Sequence, residues 1–310
     1  MSVPGRFPAG GIENAYSEGR TIISYQRDRF VPTEELSLPY WDDVSGTLRG
    51  YRVFTACRTV REKIFRLEDH LRRLYDSAAG IHMVPPMGQD ALRDILMEAV
   101  RLNRERDPHA DLLLNVIFSG GLQGCTMKQS GAGAHLYIAA QPLITPDAEC
   151  YEKGVALATF AYQRMYPAVK LLNYVGAIIA HQLVVPRHDA YDVVFVCPED
   201  GNTILEGSTF TVFFVDSDGV ILTPPLDGKI LDSITRRVVI EILGGKPEFR
   251  LRETPVRMGE VASFREAFIA STTRNVLSVT RLNDLIIGNG TPGPVTRSVH
   301  DVFEAYLRSY

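Results

Sequence analysis

Apolar residues recur at helical spacing in two stretches near the start of the chain. Leu67, Leu71, Leu74 and Ala78 form a stripe over Leu67–Ala79, and Leu92, Ile95, Leu96 and Val100 do the same over Asp90–Asn103. Both stretches predict helices, with the Arg and Asp residues of the first facing outward or toward a ligand. Short strand-like runs flank them at Thr21–Tyr25 and Lys63–Arg66. The near-continuous apolar run Leu112–Phe118 predicts a strand buried on both faces, and Leu136–Ala140 predicts another. In Gln141-Pro142-Leu143-Ile144-Thr145-Pro146-Asp147 two prolines interrupt the apolar pattern, which predicts a linker. The chain therefore divides into residues 1–142, a connection at 143–148, and residues 149–310.

The second part opens with a strand pattern at Val155–Phe160, passes Pro167, and enters a helix-like stretch from Asn173 to Val185. Strand patterns then dominate, at Tyr191–Val196, Thr203–Leu205, Thr209–Val215 and Val220–Thr223. Turn residues such as Asp200-Gly201 and Asp218-Gly219 separate them, as an antiparallel meander requires. A helix over Ser233–Leu243 begins at Asp232-Ser233, side chains that cap orphan N–H groups, and such an N-terminus suits a phosphate. Strands near Ala267–Ala270 and Leu277–Leu282 and a helix over Val295–Leu307 complete the pattern.

Composition narrows the function. A chain of 310 residues with 45% hydrophobic and 23% charged residues has the make-up of an ordinary soluble globular protein, large enough for two cores. A net charge of −4 gives no broad attraction to nucleic acid or anionic lipid, although a local Arg cluster can still hold one small anion. The Gly- and Pro-rich start, Met1–Gly11, has no apolar core and is read as neither signal peptide nor membrane anchor. Cys57, Cys125, Cys150 and Cys197 lie far apart, consistent with reduced thiols in a cytoplasm. The scattered His70, His181, His188 and His300 show no metal-ligand spacing, so no metal is expected.

Lysine is scarce, and Lys170 stands out in the apolar run Ala168-Val169-Lys170-Leu171-Leu172. An amine that loses hydration is more readily neutral, and a neutral amine forms Schiff bases. The alternative is a lysine whose stem packs on the core while its head reaches water. Three further segments bear on the choice. Phe65-Arg66-Leu67-Glu68-Asp69-His70-Leu71-Arg72-Arg73-Leu74 continues into Tyr75-Asp76-Ser77-Ala78; Glu206-Gly207 precedes the apolar strand Phe210–Val215; and Ser233-Ile234-Thr235-Arg236 is echoed later by Ser271-Thr272-Thr273-Arg274. In order and spacing these segments, with Lys170-Leu171-Leu172-Asn173-Tyr174 and Gly293-Pro294-Val295-Thr296, resemble the fold class IV aminotransferases of the branched-chain, D-amino-acid and (R)-amine type.

That resemblance implies an α+β, two-domain fold with a smaller N-terminal α/β domain and a larger C-terminal pseudo-barrel domain. It also implies pyridoxal 5'-phosphate as cofactor, held as an internal aldimine on Lys170. By the same match Arg73, Ile234, Thr235 and Thr272 bind the phosphate, and Tyr174 lies near the phenolic oxygen. Glu206 faces the pyridine nitrogen and keeps it protonated. Ser233 stands where the family often has Gly. Tyr51 and Phe54 match substrate-pocket residues, joined by Thr273 and Arg274, in an active site shared across a homodimer. The expected reaction moves an amino group between an amino acid or primary amine and a 2-oxo acid. Neither the carboxylate-binding Arg that branched-chain enzymes place in Leu112–Phe118 nor the Arg and His that D-amino-acid enzymes place just after it is present. Gly121-Leu122-Gln123-Gly124 is similar to an (R)-amine transaminase motif, and the three-residue gap between Lys170 and Tyr174 fits the D-amino-acid and amine branch. The reading therefore leans to D-amino acids or (R)-amines, with a branched-chain L-amino acid transaminase or an aminodeoxychorismate-lyase-like enzyme as alternatives. Arg52, Arg58 and Arg274 are the candidates for an unusual carboxylate clamp.

Overall fold

The computed structural model describes residues 21–109, 111–124, 126–131 and 133–310; the Met1–Gly11 segment and Cys125 lie outside the described residues. The described chain forms two compact units. The N-terminal unit runs to Ile144 and takes back Val169–Asn173 and Tyr310, and the C-terminal unit holds Thr145–Ala168 and Tyr174–Ser309.

In the N-terminal unit, strands β1 (Ile23–Gln26), β2 (Arg29–Pro32), β3 (Arg52–Val60), β4 (Lys63–Ile64), β5 (Leu112–Ser119) and β6 (His135–Pro142) form one sheet. Their order is β2-β1-β6-β5-β3-β4. The expectation that β5 is buried on both faces needs correction. Leu112, Leu114, Val116 and Phe118 are buried, whereas Leu113, Asn115 and Ile117 are only half-buried. The buried set shares a core with Leu71, Leu74 and Ala78 of helix Leu67–Gly80 and with Leu92, Leu96 and Val100 of helix Gln89–Arg104. Each leucine removed from water in this way contributes about 1.5–3 kcal/mol. The helical stripes read from the sequence are thus the faces that cover this sheet.

The C-terminal unit carries β7 (Val155–Ala161), β8 (Asp192–Val196), β9 (Thr203–Gly207), β10 (Thr211–Val215), β11 (Val220–Thr223), β12 (Arg250–Glu253), β13 (Val256–Arg257), β14 (Glu266–Ser271), β15 (Asn275–Leu282) and β16 (Leu285–Ile286). They form a ten-stranded mixed sheet, ordered β12-β11-β10-β14-β15-β7-β8-β9-β13 with β16 on β15. The expected meander exists only in pieces. β8 pairs with β9 and β10 with β11, but β10 takes β14 rather than β9 as its other neighbour. The register puts Phe213 opposite Phe268, and their rings stack at 4.6 Å. That apolar contact rewards the long-range pairing over the local one.

The helix expected over Asn173–Val185 runs instead from Val175 to His188. It passes through Pro186, which loses a single N–H bond in the last turn, and closes where Ala190 N donates to Val185 O. Among the described residues no helix is long and apolar enough to cross a membrane.

Candidate active site

Within the N-terminal unit the candidate lysine and the candidate arginine are tied to one another's supports. Residues 170–172 run along β3: Phe54 N donates to Lys170 O at 3.0 Å, Leu172 N donates to Arg52 O at 3.1 Å, and Leu171 bridges Val53. Lys170 N donates to Ser77 Oγ at 3.1 Å, one helical turn beyond Arg73. These bonds explain why five residues after Ala168 pack with the N-terminal unit. Lys170 Nζ lies 4.9 Å from the centre of the Phe54 ring, and the residue is half-buried.

Arg73 is buried at 8% exposure, on the helix face that meets β3. Its Nη2 donates to Thr55 Oγ1 at 3.0 Å. Cys57, two residues along β3, is fully buried; burial pushes its thiol up to about 12 against a smaller opposing pull from Arg73. It therefore stays neutral at physiological pH and does not compensate the guanidinium. Tyr51, half-buried, donates from its hydroxyl to Ile81 O at 2.8 Å, and burial raises its pKa. Of the carboxylate-clamp candidates in this unit, Arg52 is held by Ser119 Oγ at 2.7 Å, with Asp43 at 3.6 Å, and Arg58 lies 3.9 Å from Asp111.

The C-terminal unit presents an acid. Glu206 sits in β9 with 7% exposure, not on an exposed turn. Gly207 follows it because a Cβ there would come within 2.2 Å of the Phe210 ring. Arg164 donates from Nε at 2.8 Å and from Nη2 at 2.7 Å to Glu206 Oε1, and Leu231 N donates to Oε2 at 3.2 Å. A carboxylate has about four acceptor positions. Among the described residues three are used, which leaves one position on Oε2 of a buried, ion-paired group. Sequence reasoning missed Arg164, which lies in no repeated pattern and meets Glu206 across 42 residues of chain.

Helix Ile234–Gly244 begins nearby in the same unit. Ser233 caps it by accepting from Arg236 N at 3.3 Å, and Ser233 O accepts from Arg237 N at 3.0 Å. The amides of Ile234 and Thr235, both buried residues, have no partner among the described residues. Two N–H groups left over at a helix N-terminus can serve as donors to an anion. Arg236, 1% exposed, fastens the helix to Pro224 O at 2.9 Å and Glu253 at 2.6 Å. Thr272 and Thr273 lie half-buried in the turn joining β14 to β15. Tyr174 stands just before helix Val175–His188, its carbonyl accepting from Ile178 N at 2.8 Å. Arg274 ends the β14–β15 turn, buried and bonded to Tyr191 at 3.2 Å, Thr209 at 2.7 Å and Asp192 at 2.7 Å. The structure thus gathers Lys170, Arg73, Tyr51 and Phe54 on one unit, and Glu206, Ile234, Thr235, Thr272, Thr273, Arg274 and Tyr174 on the other.

Comparison with known proteins gives this arrangement a family. The chain is 30% identical over 268 residues to the D-alanine aminotransferase of Bacillus licheniformis, covering 84% of this chain and 90% of the relative. It is 28% identical to the branched-chain-amino-acid aminotransferase of Pseudomonas aeruginosa, over 83% of this chain and 82% of the relative. In fold it matches the branched-chain amino acid aminotransferase from Thermobaculum terrenum in its PLP-form, with a TM-score of 0.79, 24% identity, and 94% and 95% of the two chains covered. The family model for amino-transferase class IV matches residues 52–282, the span that contains every candidate residue but Tyr51, and the chain therefore belongs to the class IV aminotransferases, enzymes that work with pyridoxal 5'-phosphate.

Proposed function

We propose that this enzyme transaminates through Lys170, with D-amino acids or primary (R)-amines as amino donors and a 2-oxo acid as acceptor. The observation that carries the assignment of the lysine is its backbone clamp. Lys170 N is bound to the helix that bears Arg73, and Lys170 O to the strand that bears Phe54. A lysine whose backbone is anchored to the arginine-bearing helix and to the neighbouring strand suits a cofactor that carries an aldehyde and a phosphate on one ring.

The residues fit that group on chemical grounds. Arg73 offers a buried guanidinium fork, and the Ile234 and Thr235 amides offer the donors that a phosphate takes at a helix start. The remaining acceptor position on Glu206 Oε2 suits a ring N–H, and the Arg164 guanidinium bonded to Oε1 fixes the orientation of that carboxylate. Thr272 adds a hydroxyl, and Tyr174 is assigned to the cofactor's phenolic oxygen. When bound, pyridoxal phosphate supplies an aldehyde and an electron sink. Lys170 would hold the cofactor's aldehyde carbon and, once freed and neutral, would take and return the proton at the substrate Cα. Tyr51, Phe54, Thr273 and Arg274 are assigned to the substrate side.

The lean toward D-amino acids or (R)-amines rests on Gly121-Leu122-Gln123-Gly124, on the three-residue gap between Lys170 and Tyr174, and on the D-alanine aminotransferase relative. A branched-chain L-specificity is the second reading, favoured by the Pseudomonas aeruginosa relative. A half-reaction screen separates them: loss of the visible cofactor band is followed with L-amino acids, D-amino acids and (R)- or (S)-1-phenylethylamine. Bleaching by L-leucine alone overturns the preferred branch. A cytoplasmic homodimer belongs to the same proposal. Val175, Ile178, Ile179 and Leu183, exposed along one face of helix Val175–His188, support the dimer, and sedimentation tests it.

A further inference from the structure

The sequence motif around Arg73 contains His70, to which the reaction assigns no task, and β3 contains a buried hydroxyl, Thr55, in a strand that no pattern predicted. The structure joins all three. Thr55 Oγ1 lies 3.0 Å from Arg73 Nη2 and 2.7 Å from His70 Nδ1. Thr55 and His70 are 1% and 2% exposed. The direction of each bond follows from proton counting. A guanidinium has only donors, so the hydroxyl accepts from Arg73. The hydroxyl's one proton then has a single acceptor among the described residues, His70 Nδ1. His70 is accordingly in the form that carries no proton on Nδ1, with its other nitrogen protonated. A proton on Nδ1 would leave the threonine's own proton buried without an acceptor, and protonation of both ring nitrogens would in addition set a second cation beside Arg73.

We propose that Thr55 is a positioning residue for the cofactor's phosphate: its hydroxyl, oriented by His70, fixes the Arg73 guanidinium before the anion arrives. The inference rests on the reading of Arg73 as the phosphate-binding arginine. An arginine whose side chain is already held at one nitrogen gives up less rotamer freedom on binding, and that saving appears as affinity for the phosphorylated ligand. Helix Leu67–Gly80 supplies both His70 and Arg73, three residues apart on the buried face, and β3 supplies the hydroxyl between them. The spacing of His70 and Arg73 is legible in the sequence; the threonine that links them is found only in the fold.

The test titrates apoenzyme with pyridoxal 5'-phosphate and, separately, with pyridoxal, which lacks the phosphate, following the visible absorbance of each. Thr55→Val keeps the side-chain shape and removes the hydroxyl. It is expected to weaken pyridoxal 5'-phosphate roughly ten-fold, the cost of one buried bond to a charged group, while pyridoxal binds as before. Thr55→Ser keeps the hydroxyl and is expected to restore the phosphate-dependent affinity, which a purely structural role of the threonine would not do. Wild-type affinity in Thr55→Val, equal loss of both ligands, or no recovery in Thr55→Ser each overturns the proposal. Arg73→Gln, measured in parallel, separates the two levels. If it leaves pyridoxal 5'-phosphate binding intact, the reading of Arg73 itself has failed; if it weakens binding and Thr55→Val does not, only the positioning role has failed.

Discussion

Two arginine–carboxylate pairs in the C-terminal unit, one fully buried and one with a half-buried arginine, are built differently. Arg274 spreads its nitrogens over three side chains, Tyr191, Thr209 and Asp192, and its guanidinium lies 5.4 and 5.6 Å from the Tyr191 and Phe210 rings. It ties β8, the loop before β10 and the β14–β15 turn into one knot. Arg164 instead places two nitrogens on a single oxygen of Glu206 and a bond on Pro167 O at 2.8 Å, so the second carboxylate oxygen keeps capacity for another donor. The first arginine is shared among three side chains of its own unit, whereas the second is bonded to one carboxylate oxygen and a backbone carbonyl. Among the described residues Asp192 accepts from Val193 N, Ser208 Oγ and Arg274, and Glu206 accepts twice from Arg164 and once from Leu231 N, so the pairs differ in how the arginine is shared and not in the acceptor positions left over.

That contrast can be broken at the first pair. Asp192→Ala strands the Arg274 guanidinium in the interior and is expected to cost about 3–5 kcal/mol of stability, read by urea denaturation. A loss below about 1 kcal/mol would place Arg274 among the ordinary surface pairs. At the second pair, Arg164→Gln is expected to lower kcat by roughly ten- to a hundred-fold through loss of a charge-assisted bond to the acid, with a smaller change in melting temperature than Asp192→Ala causes. Equal damage to stability from both substitutions would erase the distinction. Smaller effects sharpen the picture. Ser77→Ala removes the acceptor of Lys170 N and is expected to cost about 1 kcal/mol, seen as a modest rise in KM or fall in kcat. Ser233→Ala removes the helix cap and is expected to cost about 1 kcal/mol of stability, with a slight weakening of pyridoxal 5'-phosphate in a titration.

Much of the fold was legible because its stripes are local. Leu67, Leu71, Leu74 and Ala78 mark one helix by spacing alone, and the apolar strands around Glu206 are visible as runs. β3 was not, since its polar residues Thr55, Arg58 and Thr59 are buried by partners elsewhere in the chain and interrupt any alternation. The pairing of β10 with β14 was hidden for a related reason: strand identity is written locally, but the Phe213–Phe268 stack that selects the neighbour spans 55 positions of sequence. At the candidate site, residues that match family motifs could be named in advance. Arg164 and Thr55 could not, because each acts through a side chain far away along the chain. The segment after Ala168 has the same character, reading as the approach to a helix while its backbone bonds belong to β3 and to Ser77.

The central claim is that one particular lysine amine carries the cofactor. Reducing the holoenzyme with borohydride and mapping its peptides by mass spectrometry tests this directly. The expected result is a pyridoxyl adduct on the peptide containing Lys170, absent from Lys170→Ala. An adduct on Lys63, Lys128 or any other lysine, or an undiminished adduct and turnover in Lys170→Ala, would contradict it.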